Sequence, residues 1–401
     1  MNKQAGLHTT ISIFALIVLL LASCGAPRSE TIIMDDTESP AAEEEDAPFT
    51  VQTIYSILEG TESDDSLDKE LDTVHPLGWL DTNSLLSLAV RYRYGEVYLG
   101  RINEPYVAVQ NLHELHTAWK HVPLSGVVLS PDRSYVSYIN RVGQALNLHL
   151  YSLEDGGNKQ LEATIDEHTF NMRMSWSNNS RFLSFVSGNE SRALQLHVYD
   201  SKEDSMASYT LPVHQDGYLT FAAVSNNGEE AVIVKRSLQH SVLEWGSLEE
   251  GTFTAHYRHP INDEGWVEWL HDDQIAFVGA DNTLYSYDQR NGLLSIVLTD
   301  IQRFRLSADR KLIAYTQGDD LVYAGRIYGN NVVQTTPIYR GIDAYHMVWG
   351  PDNSKLLVSG PKYHHYQRPM DPRALDPKPA EPRAQDFIET LYYQNLVIEF
   401  K

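Results

Sequence analysis

The chain predicts an all-β fold, a β-propeller of seven blades with six as the alternative, on two observations. A short unit recurs seven times, and from Val51 onward the sequence is almost entirely strand-like, with alternating apolar runs broken by Asn, Asp, Gly and Ser. The unit is a Trp or aliphatic anchor, a small polar turn of the Ser-Pro-Asp type, then an alternating apolar strand. Its copies begin at Trp79 (WLDTNSLLSLAV), Leu129 (LSPDRSYVSYI), Trp176 (WSNNSRFLSFV), Val224 (VSNNGEEAVIV), Trp269 (WLHDDQIAFV), Leu306 (LSADRKLIAYT) and Trp349 (WGPDNSKLLVS). Successive anchors stand 50, 47, 48, 45, 37 and 43 residues apart, the spacing of four-stranded blades.

Each piece has a physical reason. The anchor ends an inner strand and packs between neighbouring sheets. Pro, Asn and Asp suit the tight turn, because Pro presets φ and Asp or Asn bonds its own backbone. The following strand alternates because both of its faces are covered differently, one by its own sheet's neighbour and one by the next sheet. A third strand running into a polar turn follows in several units: LNLHLYSLEDG at Leu146, LQLHVYDSKED at Leu194 and NTLYSYDQRNG at Asn282, with weaker versions at Gly95 and Asp319. FTVQTIYSIL, from Phe49, precedes the first anchor, and the last unit ends in TLYYQNLVIEF, from Thr390 to Phe400. Residues 50–58 are expected to pair with that C-terminal strand and so close the ring without a free edge.

Turns of this kind, followed by an Ile-Ala-Tyr or Leu-Ser-Phe strand and a Leu-Tyr-x-Tyr-Asp strand, resemble TolB-type, WD40-like propeller repeats over roughly residues 77–400. The N-terminus carries a second resemblance. After Lys3 an apolar run of about a dozen residues, Ile11 to Ala22, has the length of a signal-peptide core and is too short to span a membrane. It ends in Leu21-Ala22-Ser23-Cys24, which resembles the lipobox of bacterial lipoproteins, and Cys24 is the single cysteine, so no intramolecular disulfide is possible. The resemblance implies recognition of Leu21, Ala22 and Ser23 by a signal peptidase, cleavage before Cys24, and diacylation of its sulfur. Two acyl chains suffice for stable anchoring. Residues 1–23 then form a leader, 24–48 a lipidated, acidic, disordered tether, and 49–401 the propeller, held at the extracytoplasmic face of a cell membrane. The combination of lipobox and propeller is similar in layout to the YqgU-type lipoproteins of spore-forming bacteria, a family described as six-bladed.

The formal net charge of −23 repels phosphate backbones, which excludes nucleic acid as a natural partner. His113-Glu114-Leu115-His116 imitates a zinc motif, but its histidines are at i and i+3 between strands rather than at i and i+4 on a helix. His364 and His365 lie in KYHHYQRP, read as an exposed loop; on a strand they would face opposite ways and rarely share an ion. Residues 368–386, RPMDPRALDPKPAEPRAQD, are too rich in Pro for regular structure and form a long insertion where recognition could reside. Asp81, Asp132, Asp272, Asp309 and Asp352 occupy corresponding turns, so they are spread around the ring and serve turn formation. No Gly-x-Ser-x-Gly elbow and no Gly-rich phosphate loop occurs, so no catalytic residue, metal or cofactor is assigned.

These readings favour a monomeric, non-catalytic binding module. Its partners would be membrane lipid, through acylated Cys24, and an unidentified protein, peptide or envelope component. The alternative is a propeller enzyme, a hydrolase or lyase acting on extracellular polysaccharide or peptide. A cluster of His, Arg, Glu or Tyr converging at one mouth of the axis favours the enzyme; an axis lined by backbone and small apolar residues favours binding.

Overall fold

In a computed structural model, the chain is described from residue 49 to 401, apart from residues 59–72, 92–95, 116–125, 143–144, 166–172, 189–193, 212–217, 238–239, 264, 319 and 368–386. The expected leader and tether, with Leu21, Ala22, Ser23 and Cys24, lie outside the described residues.

Every named element is a strand, as the alternation demands. The first is β1 (Val51–Ser56). A meander follows, made of β2 (Thr73–Trp79), β3 (Ser84–Arg91), β4 (Glu96–Asn103) and β5 (Val109–Glu114). The second is β6 (Val127–Leu129), β7 (Tyr135–Val142), β8 (Ala145–Ser152) and β9 (Asn158–Ile165). Then come β10 (Ser175–Trp176), β11 (Phe182–Gly188), β12 (Leu194–Asp200) and β13 (Ser205–Thr210), followed by β14 (Tyr218–Val224), β15 (Glu230–Arg236), β16 (Ser241–Glu249) and β17 (Thr252–Ile261). Two further meanders are β18 (Val267–His271) to β19 (Gln274–Val278), β20 (Leu284–Asp288) and β21 (Leu293–Leu298), and β22 (Phe304–Leu306) to β23 (Leu312–Gln317), β24 (Leu321–Tyr328) and β25 (Asn331–Arg340). The last strands are β26 (His346–Trp349), β27 (Lys355–Gln367) and β28 (Phe387–Phe400).

Among the described residues the sheets number five of four strands and one of eight. The eight-stranded sheet consists of the β10–β13 and β14–β17 meanders, joined at their outermost strands by one parallel pair, Thr210 with Thr252. The final sheet has the order β1-β28-β27-β26, so the N-terminal strand supplies its outer edge, with Val51 opposite Phe400 and Ser56 opposite Leu396. That is the predicted closure. The fold is all-β and propeller-like.

Each hydrophobic cluster is shared between successive sheets. Leu86 and Leu88 of β3 pack with Val136 and Tyr138 of β7, and Val232 and Trp245 pack with Trp269 and Phe277. Trp79, Leu85 and Ile102 of the first meander meet Leu357 and Val397 of the last sheet, so the first and last sheets bury one another. The anchors behave as expected. Trp79 Nε1 donates to the Val348 carbonyl at 2.9 Å and Trp349 Nε1 to the Arg305 carbonyl at 3.1 Å, each bond crossing to the adjacent inner strand.

One expectation is corrected. The stretch around His364 and His365 is not a loop: β27 continues through both histidines, pairing His364 with Thr390 and Gln367 with Phe387. The Tyr-rich YHHYQ run faces FIETLYYQ across the hairpin, and aromatic and β-branched residues suit a paired, pleated surface better than a loop. Residues 368–386, which connect these strands, lie outside the described residues.

Candidate functional site

Strand alternation decides what faces the centre. In each inner strand the anchor and the residue two before it point into the core: Met174, Val267, Phe304 and Met347 are all buried in clusters between sheets. The residues one and three before the anchor therefore point the other way, toward the space the inner strands surround. Counting three back gives Arg173, Phe221, Trp266, Arg303 and His346 among others, although Trp266 also packs in the cluster with Val278 and Phe304 and Phe221 against that of Val232 and Trp245; counting one back gives Glu268 and Arg305.

These side chains meet. The Arg305 guanidinium lies 4.7 Å from the centre of the Trp266 ring, and that of Arg173 lies 5.7 Å from the same ring. Arg173 precedes β10 and Trp266 precedes β18, and the β14–β17 meander stands between their sheets, so this contact is made across the central space. Arg305 Nη1 pairs with Glu268 Oε1 at 3.2 Å, and Arg310 Nη1 with Glu268 Oε2 at 3.3 Å. Arg305 Nε also donates to the Met347 carbonyl at 3.2 Å. Nearby, Arg303 Nη1 pairs with Asp343 at 2.6 Å and reaches the Ala344 carbonyl.

His346 belongs to this group. Burial, together with the positive charges of Arg305 and Arg173, pushes its imidazole down to about 4, against a hydrogen bond that the ring donates to the Leu77 backbone carbonyl, which acts the other way. The ring is therefore neutral near pH 7, and its Nε2 is buried with no hydrogen-bond partner, as is Nε1 of Trp266. The side chain is half-buried, and the protein packed around it disfavours the charged ring.

The motifs singled out in the sequence lie elsewhere. His113 and Glu114 sit on β5, an outer strand, and the His113 ring stacks on Tyr151 at 4.2 Å; Leu115 is buried core, and His116 lies outside the described residues. Among the described residues no three His, Cys, Asp or Glu side chains gather to hold a metal ion. Asp132 and Asp309 each take a hydrogen bond from the Ser two residues earlier at 2.6 Å and from a backbone N–H two residues later. Asp81 and Asp352 instead accept from the hydroxyls of Ser84 and Ser354, which follow them in the turn. Asp272 differs, since its carboxylate accepts from the Asn226 N–H of the preceding meander at 2.6 Å.

A Ser–His contact also occurs, Ser187 Oγ to His197 Nε2 at 2.6 Å, with Ser208 on the other ring nitrogen at 2.8 Å. Both Ser187 and His197 are buried between β11, β12 and β13 and no carboxylate orients the ring, so this pair is packing rather than a nucleophile. Sequence reasoning missed the central group, although the count back from each anchor would have found it.

No family model and no curated protein matches the chain. Solved structures do. An oligogalacturonate lyase in complex with manganese is similar at 10% identity and a TM-score of 0.54, over 82% of this chain and 90% of that one. A chain of a mitotic checkpoint complex is similar at 16% identity and a TM-score of 0.49, over 83% and 96% respectively. A functionally unknown protein from Desulfotomaculum acetoxidans DSM 771 is similar at 12% identity and a TM-score of 0.47, over 69% and 89%. At these identities the lyase likeness shows fold alone, and the two lower scores carry no argument; the fold is that of a β-propeller.

Proposed function

We propose that this protein is a seven-bladed propeller lipoprotein, anchored outside the cytoplasm through acylated Cys24, that binds a partner at one mouth of its channel without turning it over. The blade count follows from taking the eight-stranded sheet as two blades joined by their single Thr210–Thr252 pair. Lipobox and propeller together remain similar in layout to the YqgU-type lipoproteins, and seven units depart from the six blades described for them. One observation carries the binding reading: Arg173, Trp266, Glu268, Arg305 and His346 converge on the axis, yet their reactive groups are either ion-paired or buried. Glu268 is neutralised by two guanidiniums, and Nε2 of His346 is walled in. Such a group holds a ligand more readily than it moves a proton.

The test is a photo-crosslinking amino acid at position 173 in cells that make the protein, with a second at the exposed Leu293 of β21 as control. A discrete adduct from 173 alone is expected, on a mature chain whose N-terminus is diacylated Cys24 by mass spectrometry. Identical patterns from both positions would count against recognition at the mouth, and an uncleaved, free Cys24 against the anchor.

The second reading is a propeller hydrolase or lyase. It is favoured by a neutral imidazole standing beside two guanidiniums, an arrangement able to accept a proton from an anionic substrate. Against it, a base with a pKa near 4 is weak. Turnover of an envelope polysaccharide or peptide, lost in His346→Gln while binding persists, would establish it.

A further inference from the structure

We propose that the rim groove between the β22–β25 sheet and the last sheet is a docking site for this chain's own N-terminal segment. Ile32, Ile33 and Met34 would lie against Tyr328 and Val333, and the acidic run 43–46 against Arg326 and Lys311.

Strand register accounts for the groove. Leu312, Arg326 and Val333 stand opposite one another across β23, β24 and β25, so their side chains share one face of the sheet. Leu312 packs against the cluster of Phe49, Trp349 and Phe400, which shows that this face turns toward the last sheet. Ile327 and Val332 point the other way and pack with Phe304 and Ile313. The groove measures about 650 Å³, with Phe49 and Phe400 on one wall and Arg326, Tyr328 and Val333 on the other. Tyr328 is 79% exposed and Val333 40%. Two large apolar side chains left in water at the margin of a core cluster mark a surface that another segment covers.

The chain enters the fold at this place. Phe49 lines the groove, and the acidic run 43–46 lies three to six positions before it, within roughly 20 Å even when fully extended. Ile32, Ile33 and Met34 are the only large apolar side chains between Cys24 and Phe49, and fifteen to seventeen residues let them reach any part of the groove. A segment so poor in apolar residues orders only against a surface. Attachment at Phe49 gives it an effective concentration on the order of millimolar, so weak contacts suffice.

Charge selects the same segment. Arg326 is exposed and makes no ion pair among the described residues, and Lys311 meets Asp309 loosely, at 3.8 Å. Asp309 and Asp352 share the groove, but each is held in its own turn by a serine hydroxyl and a backbone N–H. Arg326 is thus the group there that an incoming carboxylate can pair with, and residues 43–46 bring four carboxylates past it. Docking does not depend on acylation of Cys24, since the segment joins the fold at Phe49 either way. With Cys24 acylated, docking leaves only residues 25–31 as a spacer, so the propeller is held within roughly 25 Å of its anchor instead of roughly 80 Å.

The test places the photo-crosslinker p-benzoylphenylalanine at position 328 of the full chain, with the same probe at Tyr393, also exposed, as control. Irradiating a mixture of isotope-labelled and unlabelled copies separates adducts within one chain from those between chains. Position 328 is expected to crosslink within its own chain to residues 30–37, and position 393 is not. Arg326→Glu should lower that yield about fivefold, the loss of one exposed ion pair. Adding Glu43→Lys, Glu44→Lys and Glu45→Lys to Arg326→Glu should restore it, which a misfolded variant would not do. Raising the salt concentration should lower the yield of the natural sequence as well. Adducts to a second copy or to another protein, equal yields from both positions, no adduct to residues 30–37, or a yield indifferent to Arg326→Glu would each overturn the docking.

Discussion

Around the ring, the residue after the turn's Asp or Asn adopts a left-handed backbone: Arg133, Ser180, Arg310 and Asn353 have φ between 60° and 66°, and Gly228 has φ of 79°. In each case its N–H bonds a carbonyl three residues back, such as Arg133 to Ser130 at 2.9 Å and Gly228 to Ser225 at 3.1 Å. Side chains at these positions cost about 1 kcal/mol or more each, and the turn's Ser and Asp hydrogen bonds offset that cost. A glycine matters more where backbone meets backbone. At Gly246 of β16 the ladder to β17 shifts register beside buried Trp245, and an added Cβ would come within 2.2 Å of the Thr254 carbonyl oxygen. No rotamer change relieves such a contact. Gly246→Ala should therefore lower stability by about 3 kcal/mol, read as a lower urea midpoint; an unchanged midpoint would mean the two strands part freely.

Among the elements, β1 has an unusual duty. It pairs with β28 on one side only, and its approach is pinned by Phe49, whose ring lies 5.6 Å from Phe400 and 6.2 Å from Trp349. Val51 and Ile54 add partly buried contacts to the same cluster. The strand thus joins the beginning of the fold to its end through a ladder and an aromatic cluster together. Phe49→Ala removes the aromatic part, and the loss expected for a buried Phe is about 3–4 kcal/mol. The check is thermal unfolding together with limited proteolysis, with cleavage appearing first near residue 58. A small loss spread over the chain, without early cleavage there, would show that β1 is not what holds the ring shut. The long β27–β28 hairpin belongs to this scale too. Its register continues to Gln367 and Phe387, past the point where other meanders turn, through segments rich in Tyr and His on one strand and in Phe, Ile, Thr and Tyr on the other.

For the whole molecule, pH dependence follows from where the inner strands meet. His346 titrates near 4 in the fold and near 6.5 when unfolded. Between those values the unfolded chain takes up a proton that the folded chain refuses. Stability is therefore full above about pH 6.5, declines as pH falls toward 4, and levels off below; this one group contributes up to about 3 kcal/mol of that loss. Burial lowers His75, His149, His197 and His259 in the same direction, so part of the decline persists without His346. Denaturant titrations from pH 7 to pH 4 should give a steeper slope for the natural chain than for His346→Gln. Parallel slopes would mean that the imidazole is solvated and the arginines do not reach it. The turn aspartates act later: Asp132 and Asp309 are held below the usual carboxylate range by hydrogen bonds that outweigh burial, so their contribution disappears only at still lower pH.

Local chemistry and period were legible in the sequence by themselves. Ser307, Asp309 and their counterparts announce a turn because the hydrogen bonds that make it lie within five residues, and anchors at near-regular spacing announce sheets that must stack to bury Trp79, Trp176 and Trp349. The pairing of residues 50–58 with the last strand was also legible, since one unmatched strand at each end leaves few other partners. What stands opposite what was decided only by the tertiary structure. Alternation says that Arg173 and His346 face away from the core, but Arg173 and Trp266 are separated by an entire meander, and only the curvature of the ring sets one guanidinium over that indole. The same holds for His113, a metal motif on paper and a ring stacked on Tyr151 in the fold. Backbone hydrogen bonds and turn chemistry act over a few residues and are written in order along the chain; electrostatics and stacking act through space, and closure of the ring determines which residues share that space.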